Sequence, residues 1–244
     1  ITAAMVFTAA GLLFGVEALG VVDPSATGVE VKVLAEATLA VVLFSDASRI
    51  DLAALRTELG VPARLLGIGL PLTIAAGFLA ALWLLGDLTW AEALLVAIIL
   101  APTDAALGQA VVTSPRLPVR VRQSLNVESG LNDGICVPLF LVALAIAQAE
   151  EGAVGEGAAV QLVAEKIGYG IVAGAAAGAV AAAIVVRAGG RRLVAPPWLQ
   201  VVPVAAAGLA FGFAEAVGGS GFIAAFVGGG VFGWLRKARG EDVS

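Results

Sequence analysis

Apolar residues in this chain gather in long runs and are not spaced at the intervals of a soluble core. Each run is near the ~20 residues a helix needs to cross a hydrocarbon layer. The pattern predicts eight spanning helices: Ile1–Val22, Val33–Ile50, Arg64–Leu85, Ala91–Thr113, Gln123–Gln148, Leu162–Val186, Leu199–Val217 and Gly219–Leu235. The second contains Asp46 and is the least hydrophobic. Almost nothing separates the last two (Gly218 and Gly219), which predicts an antiparallel hairpin.

The polar connections alternate in charge. Arg49, Arg56 and Arg64 follow the second span; Arg116, Arg120 and Arg122 follow the fourth; Arg187, Arg191 and Arg192 follow the sixth; Arg236, Lys237 and Arg239 follow the eighth. The opposite side holds only Lys32 and Lys166. Thus 12 of the 14 basic residues fall on one side, an alternation that a wrong span count would scramble. By the positive-inside rule that side is cytoplasmic. The longest outer connection, 149–159, is acidic and glycine-rich and is expected to be mobile.

Composition agrees: of 244 residues, 60% are hydrophobic and 14% charged, too few charges to cover a soluble surface. Histidine is absent, which excludes His-based metal sites, Ser/His/Asp triads and Cys/His dyads. Cys136 is the single cysteine, so no intrachain disulfide forms. Ile1 opens inside an apolar run with no basic region before it, which reads as the interior of a longer protein and not as a signal peptide. Glycines recur four apart at Gly11/Gly15, Gly170/Gly174/Gly178, Gly208/Gly212 and Gly229/Gly233, the spacing by which membrane helices approach closely. They read as scaffold or oligomer surface.

Six acidic residues fall within the apolar spans: Glu17, Asp46, Asp104, Glu128, Asp133 and Glu215. An intramembrane carboxylate costs at least ~2.5–3.5 kcal/mol at the bilayer centre unless it is paired, neutralised or hydrated. Glu17 and Glu215 lie within a turn or two of the outer surface, where they can reach water. The others lie deeper. In the fourth span, Pro102 cannot donate a backbone hydrogen bond, and Thr103 and Asp104 follow at once. Either a proline kink or an unwound stretch fits, and irregular backbone at this depth needs burial in protein or a water-filled cavity. In the fifth span, helical spacing puts Glu128 and Asn132 on one face, Ser129 and Asp133 on the next. Such oxygens suit a hard cation. A carboxylate there binds a proton or a cation, but not both well, which is the physical core of proton-coupled exchange. A polar network joining helices fits the same residues.

These residues resemble a known family. Ala101-Pro102-Thr103-Asp104, then Glu128-Ser129-Gly130-Leu131-Asn132-Asp133-Gly134, is similar to the sodium/proton exchanger type of monovalent cation–proton antiporter. Leu43-Phe44-Ser45-Asp46 and Gly218-Gly219-Ser220-Gly221-Phe222 are similar to further family segments, in the family's order. The resemblance covers nearly all of the chain.

The resemblance implies an all-α integral membrane bundle with inverted repeats and a broken fourth helix. Residues 1–148 would be most of the first repeat, 149–198 a linker region, and 199–244 the start of the second. It implies that Asp133 binds the ion or the proton, with Ser129 and the Thr103 carbonyl as further ligands of a monovalent cation. Asn132 marks an electroneutral branch, and Asp104 balances helix-end dipoles. On the same resemblance Glu128 would pair with an arginine on a late helix, and Asp46 would lie near the ion. It further implies missing spans on both sides of this chain, a homodimer, and a multi-pass place in a bacterial inner membrane. No cofactor and no nucleic acid are expected. The substrates would be Na+ and H+, with K+ in place of Na+ as the nearest alternative. From other classes, an intramembrane aspartyl protease using Asp104 and Asp133 lacks its usual Gly-x-Gly-Asp, and a channel would favour ligand rings from several subunits.

Overall fold

A computed structural model of the chain describes residues 3–16, 18–21, 28–50, 60–103, 117–150, 152, 155–190 and 201–238. Among them are eight helices: α1 (Ala3–Phe14), α2 (Gly28–Arg49), α3 (Gly60–Leu84), α4 (Trp90–Leu100), α5 (Val119–Glu150), α6 (Glu156–Gly190), α7 (Val201–Ala216) and α8 (Gly221–Lys237). α3, α5 and α6 contain stretches long and apolar enough to cross a membrane, and α1, α4 and α7 contain shorter apolar ones. The surface is correspondingly apolar: Trp83 is 83% exposed, and Ile99, Leu100, Val172 and Leu209 are also exposed. An all-α membrane bundle is therefore observed, as expected.

Local chemistry sets several element ends. Thr89 and Glu92 form a reciprocal cap at the start of α4, with Glu92 Oε2 accepting the Thr89 N–H at 2.8 Å. α4 then stops at Leu100, because Pro102 has no N–H for the ladder and its ring crowds the preceding turn. Pro71 removes a donor from α3 in the same way, and over Leu65–Gly69 the ladder slips to a π turn in which the Leu70 N–H bonds Leu65 O. The α7–α8 hairpin closes as expected through Gly218, whose φ of +82° favours glycine.

Two boundaries differ from the hydrophobic pattern. The first apolar run does not stay helical to Val22. α1 ends at Phe14, and the chain turns through Gly15 and Gly20, the latter at φ +61°. Most of the stretch read as the outer loop, 149–159, is instead taken into helix ends, because α5 runs to Glu150 and α6 begins at Glu156.

The tightest packing surrounds α8. A Cβ on Gly170, Gly174 or Gly178 of α6 would strike Ser220 and Ile223, Ala224 or Gly228 of α8. One Cβ on Gly229 or Gly233 of α8 would strike the backbone of Phe44 or Ser48 in α2. So α8 presents one small-residue face to α6 and another to α2, and backbones meet on both. α7 covers this group with Ala206, Ala207, Ala210 and Ala214, all buried. Phe44 and Phe232 fill its centre, their rings 5.5 Å apart. α3 and α4 pack on each other, and α4 on α5, around Leu70, Ile98 and Cys136. Gly208, Gly212 and Gly11 meet nothing within 4 Å, so those glycines do not pack helices within the described residues.

The ends of the bundle agree with the charge alternation. Lys237 Nζ of α8 donates to the carbonyls of Arg49 and Ile50 at the end of α2, at 3.0 and 3.2 Å. At the opposite end, the Ser220 N–H bonds Lys166 O of α6 at 2.9 Å. The basic ends of α2 and α8 thus lie together.

Candidate functional site

The polar residues gather where α4 gives out. Ala101, Pro102 and Thr103 are not helical, and they lie against the middle of α5. Thr103 is held there from three sides. Ser129 Oγ donates to the Thr103 carbonyl at 2.9 Å. Asn132 Nδ2 lies 3.1 Å from the same carbonyl and 2.9 Å from Thr103 Oγ1. Thr103 Oγ1 donates to Glu128 Oε2 at 2.9 Å. Glu128, Ser129 and Asn132 lie within about one turn of α5, so helical spacing alone aims all three at one non-helical residue.

Burial is uneven. Asn132 is fully buried and Ser129 nearly so, while Glu128 and Asp133 are half-buried. Asn132 spends its amide hydrogens on Thr103, and a weaker contact reaches Glu128 Oε1 at 3.4 Å. Its Oδ1 is buried with no hydrogen-bond partner among the described residues. A buried acceptor of this kind is uncommon and adds one more fixed oxygen lone pair to the site. Asp133 follows directly on α5, beside glycines that let other helices come close. Gly130 lies against Ile50 and the Asp46 carbonyl of α2, and Gly134 against the Phe226 ring of α8. Asp46 is half-buried at the end of α2.

What stands together is therefore a carbonyl and a hydroxyl from Thr103, a hydroxyl from Ser129, the amide of Asn132 and the carboxylate of Glu128, with Asp133 next along α5. All are hard oxygen donors, the set that alkali cations prefer. The donors sit where α4 ends, on a helix of an apolar bundle; non-helical carbonyls at helix ends are how transporters present oxygens to ions.

The sequence model of the family described as sodium/hydrogen exchanger, transmembrane, matches residues 1–243. The chain belongs to this family. Its relatives include the K(+)/H(+) antiporter NhaP2 of Shewanella baltica, 33% identical over 144 residues, which are 58% of this chain and 24% of that protein. The K(+)/H(+) antiporter NhaP of Alkalimonas amylolytica is 32% identical over 144 residues, 58% of this chain and 25% of that one. The match thus spans about a quarter of the length of these relatives.

In this exchanger-family chain, the structure brings Thr103, Glu128, Ser129 and Asn132 into direct contact, with Asp133 next in the helix. Asp104 lies outside the described residues, as does Glu17. The partner seen for Glu128 is the Thr103 hydroxyl, a pairing that the motifs alone did not indicate. Glu215, read as reaching water, has a structural task as well: its Oε1 accepts the Gly221 N–H at 2.9 Å and so caps the start of α8. The available signal was an acidic residue shortly before a Gly-Gly-Ser-Gly helix start.

Proposed function

We propose that this chain carries the ion-handling part of a secondary antiporter that exchanges a monovalent cation for H+ by alternating access. The observation that carries the reading is the Thr103 knot: an unwound carbonyl and hydroxyl held by Ser129 and Asn132, one residue from Asp133, within a membrane bundle. Family membership supports it. Asp133 holds either the cation or the proton. With neither, its charge resists a crossing through apolar surroundings, and this resistance couples the two fluxes.

The knot also suggests how a cation enters. Ser129 Oγ and the Thr103 carbonyl are bonded to each other, so for both to face a cation the Ser129 hydroxyl must turn its hydrogen away. Binding then exchanges one hydrogen bond for two ion contacts. Asn132 keeps Thr103 in place meanwhile through its amide hydrogens. Asp104 is assigned to the helix-end dipoles and Asp46 to a position near the ion, both on the family resemblance.

Sodium is the cation that the sequence motifs suggest. Potassium is the second reading, favoured by the names of the two relatives above. The protein would act in the cell membrane, as a multi-pass protein of a bacterial inner membrane, and as a homodimer.

The test uses the full-length protein in proteoliposomes with an imposed pH gradient. Addition of Na+ or K+ is expected to collapse the gradient, and the order of half-saturating concentrations assigns the cation. Asp133→Asn should reduce the response to that of protein-free vesicles. An undiminished response in Asp133→Asn would remove Asp133 from the mechanism.

A further inference from the structure

Three features around Asp133 point to α8. First, α5 changes character at this residue. Toward its basic end it carries Ser124, Asn126, Glu128, Ser129 and Asn132, whereas from Ile135 to Ala147 it carries no charged, amide or hydroxyl side chain. Second, the tip of the Phe226 ring is seated on Gly134, where a Cβ would fall among the ring's ζ and ε carbons. Third, Val137, one turn beyond Asp133, packs together with Phe222, Phe226 and Phe211 against the core around Phe44 and Phe232. Phe211 and Phe222 meet edge to face at 5.2 Å.

On the basic side of Asp133, water meets the half-buried Glu128 and, behind it, the buried polar groups of Ser129 and Asn132. From the other side it meets an aromatic cluster. We propose that the Phe226 ring, seated on Gly134, is the hydrophobic seal that closes Asp133 to the outer face in this conformation. Phe226 touches no ion. It is a positioning residue that keeps the site open to one side at a time, as apolar constrictions exclude water without a covalent barrier. Gly134 is part of the device, because any side chain there would lift the ring from the helix. The proposal rests on the transport reading and on the charge-based orientation. It adds a residue outside the ion ligands.

The test measures the seal apart from transport. In the full-length protein with Cys136→Ser, a Val137→Cys reporter is exposed to a membrane-impermeant maleimide from the outer face of oriented vesicles. With Phe226 in place, labelling is expected to be slow. Phe226→Ala should speed it by roughly tenfold, as loss of a packed aromatic contact frees the cluster to open. Phe226→Leu, which restores bulk, should slow it again. If the alanine variant does not fold, Phe226→Val, which also leaves Gly134 uncovered, carries the same comparison. Equal labelling rates with and without the ring overturn the seal, whether or not the protein exchanges ions. Conversely, a protein without exchange but with ring-dependent labelling keeps the seal and loses the transport reading. In an active protein, Phe226→Ala should further admit proton flux when no cation is present.

Discussion

At the scale of single residues, Asn132 and Ser129 do different work on Thr103. Asn132 supplies hydrogens to both oxygens of Thr103, while Ser129 Oγ donates to its carbonyl. A typical hydrogen bond is worth ~0.5–1.5 kcal/mol net, and an orphaned buried partner costs more. Asn132→Ala removes the donor to Thr103 Oγ1 and one of the two donors to the Thr103 carbonyl, and opens a hole at a fully buried position. Ser129→Ala leaves the carbonyl still bonded to Asn132. The expected loss is therefore ~2–3 kcal/mol for Asn132→Ala against ~1 kcal/mol for Ser129→Ala. Thermal unfolding in detergent checks the order, and a Ser129 variant that melts below the Asn132 variant contradicts it. Much of this was legible in sequence. Glu128, Ser129, Asn132 and Asp133 share neighbouring helix faces because 3.6 residues make a turn. Thr103 meeting Glu128 was not legible, since the two are 25 residues apart and the path between them is set by where α4 breaks.

Among the helices, close approach is set by which glycines face a neighbour. Gly174 of α6 lies against the Ala224 backbone, and Gly208 of α7 meets nothing within 4 Å, yet each has a glycine partner four residues away. Gly174→Leu must push α6 off α8, so it should lower stability by ~1–3 kcal/mol or more. Gly208→Leu adds an apolar side chain to an already apolar surface and should leave the melting temperature nearly unchanged. Comparing the two variants in the same detergent tests the packing assignment, and equal losses would refute it. The eight apolar runs were readable because each helix must satisfy its backbone internally and show apolar side chains to lipid. Which glycine motifs pack was not readable, because the spacing is the same on a covered face and on an open one. The early end of α1 was hidden likewise: its turn uses glycines that a run-length argument counts as apolar filler.

Across the whole molecule, contacts fall into two groups. α2, α6, α7 and α8 are locked by small-residue faces, while α3, α4 and α5 hold the Thr103 knot around a separate core. α5 packs on α6, meets α2 where Ile50 and the Asp46 carbonyl approach Gly130, and meets α8 through Phe226 on Gly134; at these two glycines the nearest atoms are side-chain atoms. Contacts of that kind can slide, whereas the α2–α8 contact cannot without unlocking Gly229 and Gly233. Alternating access by a rigid shift of one group against the other therefore predicts opposite results for two cross-links. In a Cys136→Ser background, Ile50→Cys with Gly130→Cys bridges the groups. A Cβ at Gly130 lies 3.5 Å from the Ile50 Cγ1, within reach of a disulfide. Oxidation of this pair should stop cation–proton exchange, and reduction should restore it. Arg49→Cys with Lys237→Cys, joined by a short bifunctional maleimide, ties α2 to α8 inside one group and should leave most of the exchange intact. Full exchange through the oxidised Ile50–Gly130 pair would mean that α2 and α5 travel together, and the boundary of the moving part would then have to lie elsewhere in the bundle.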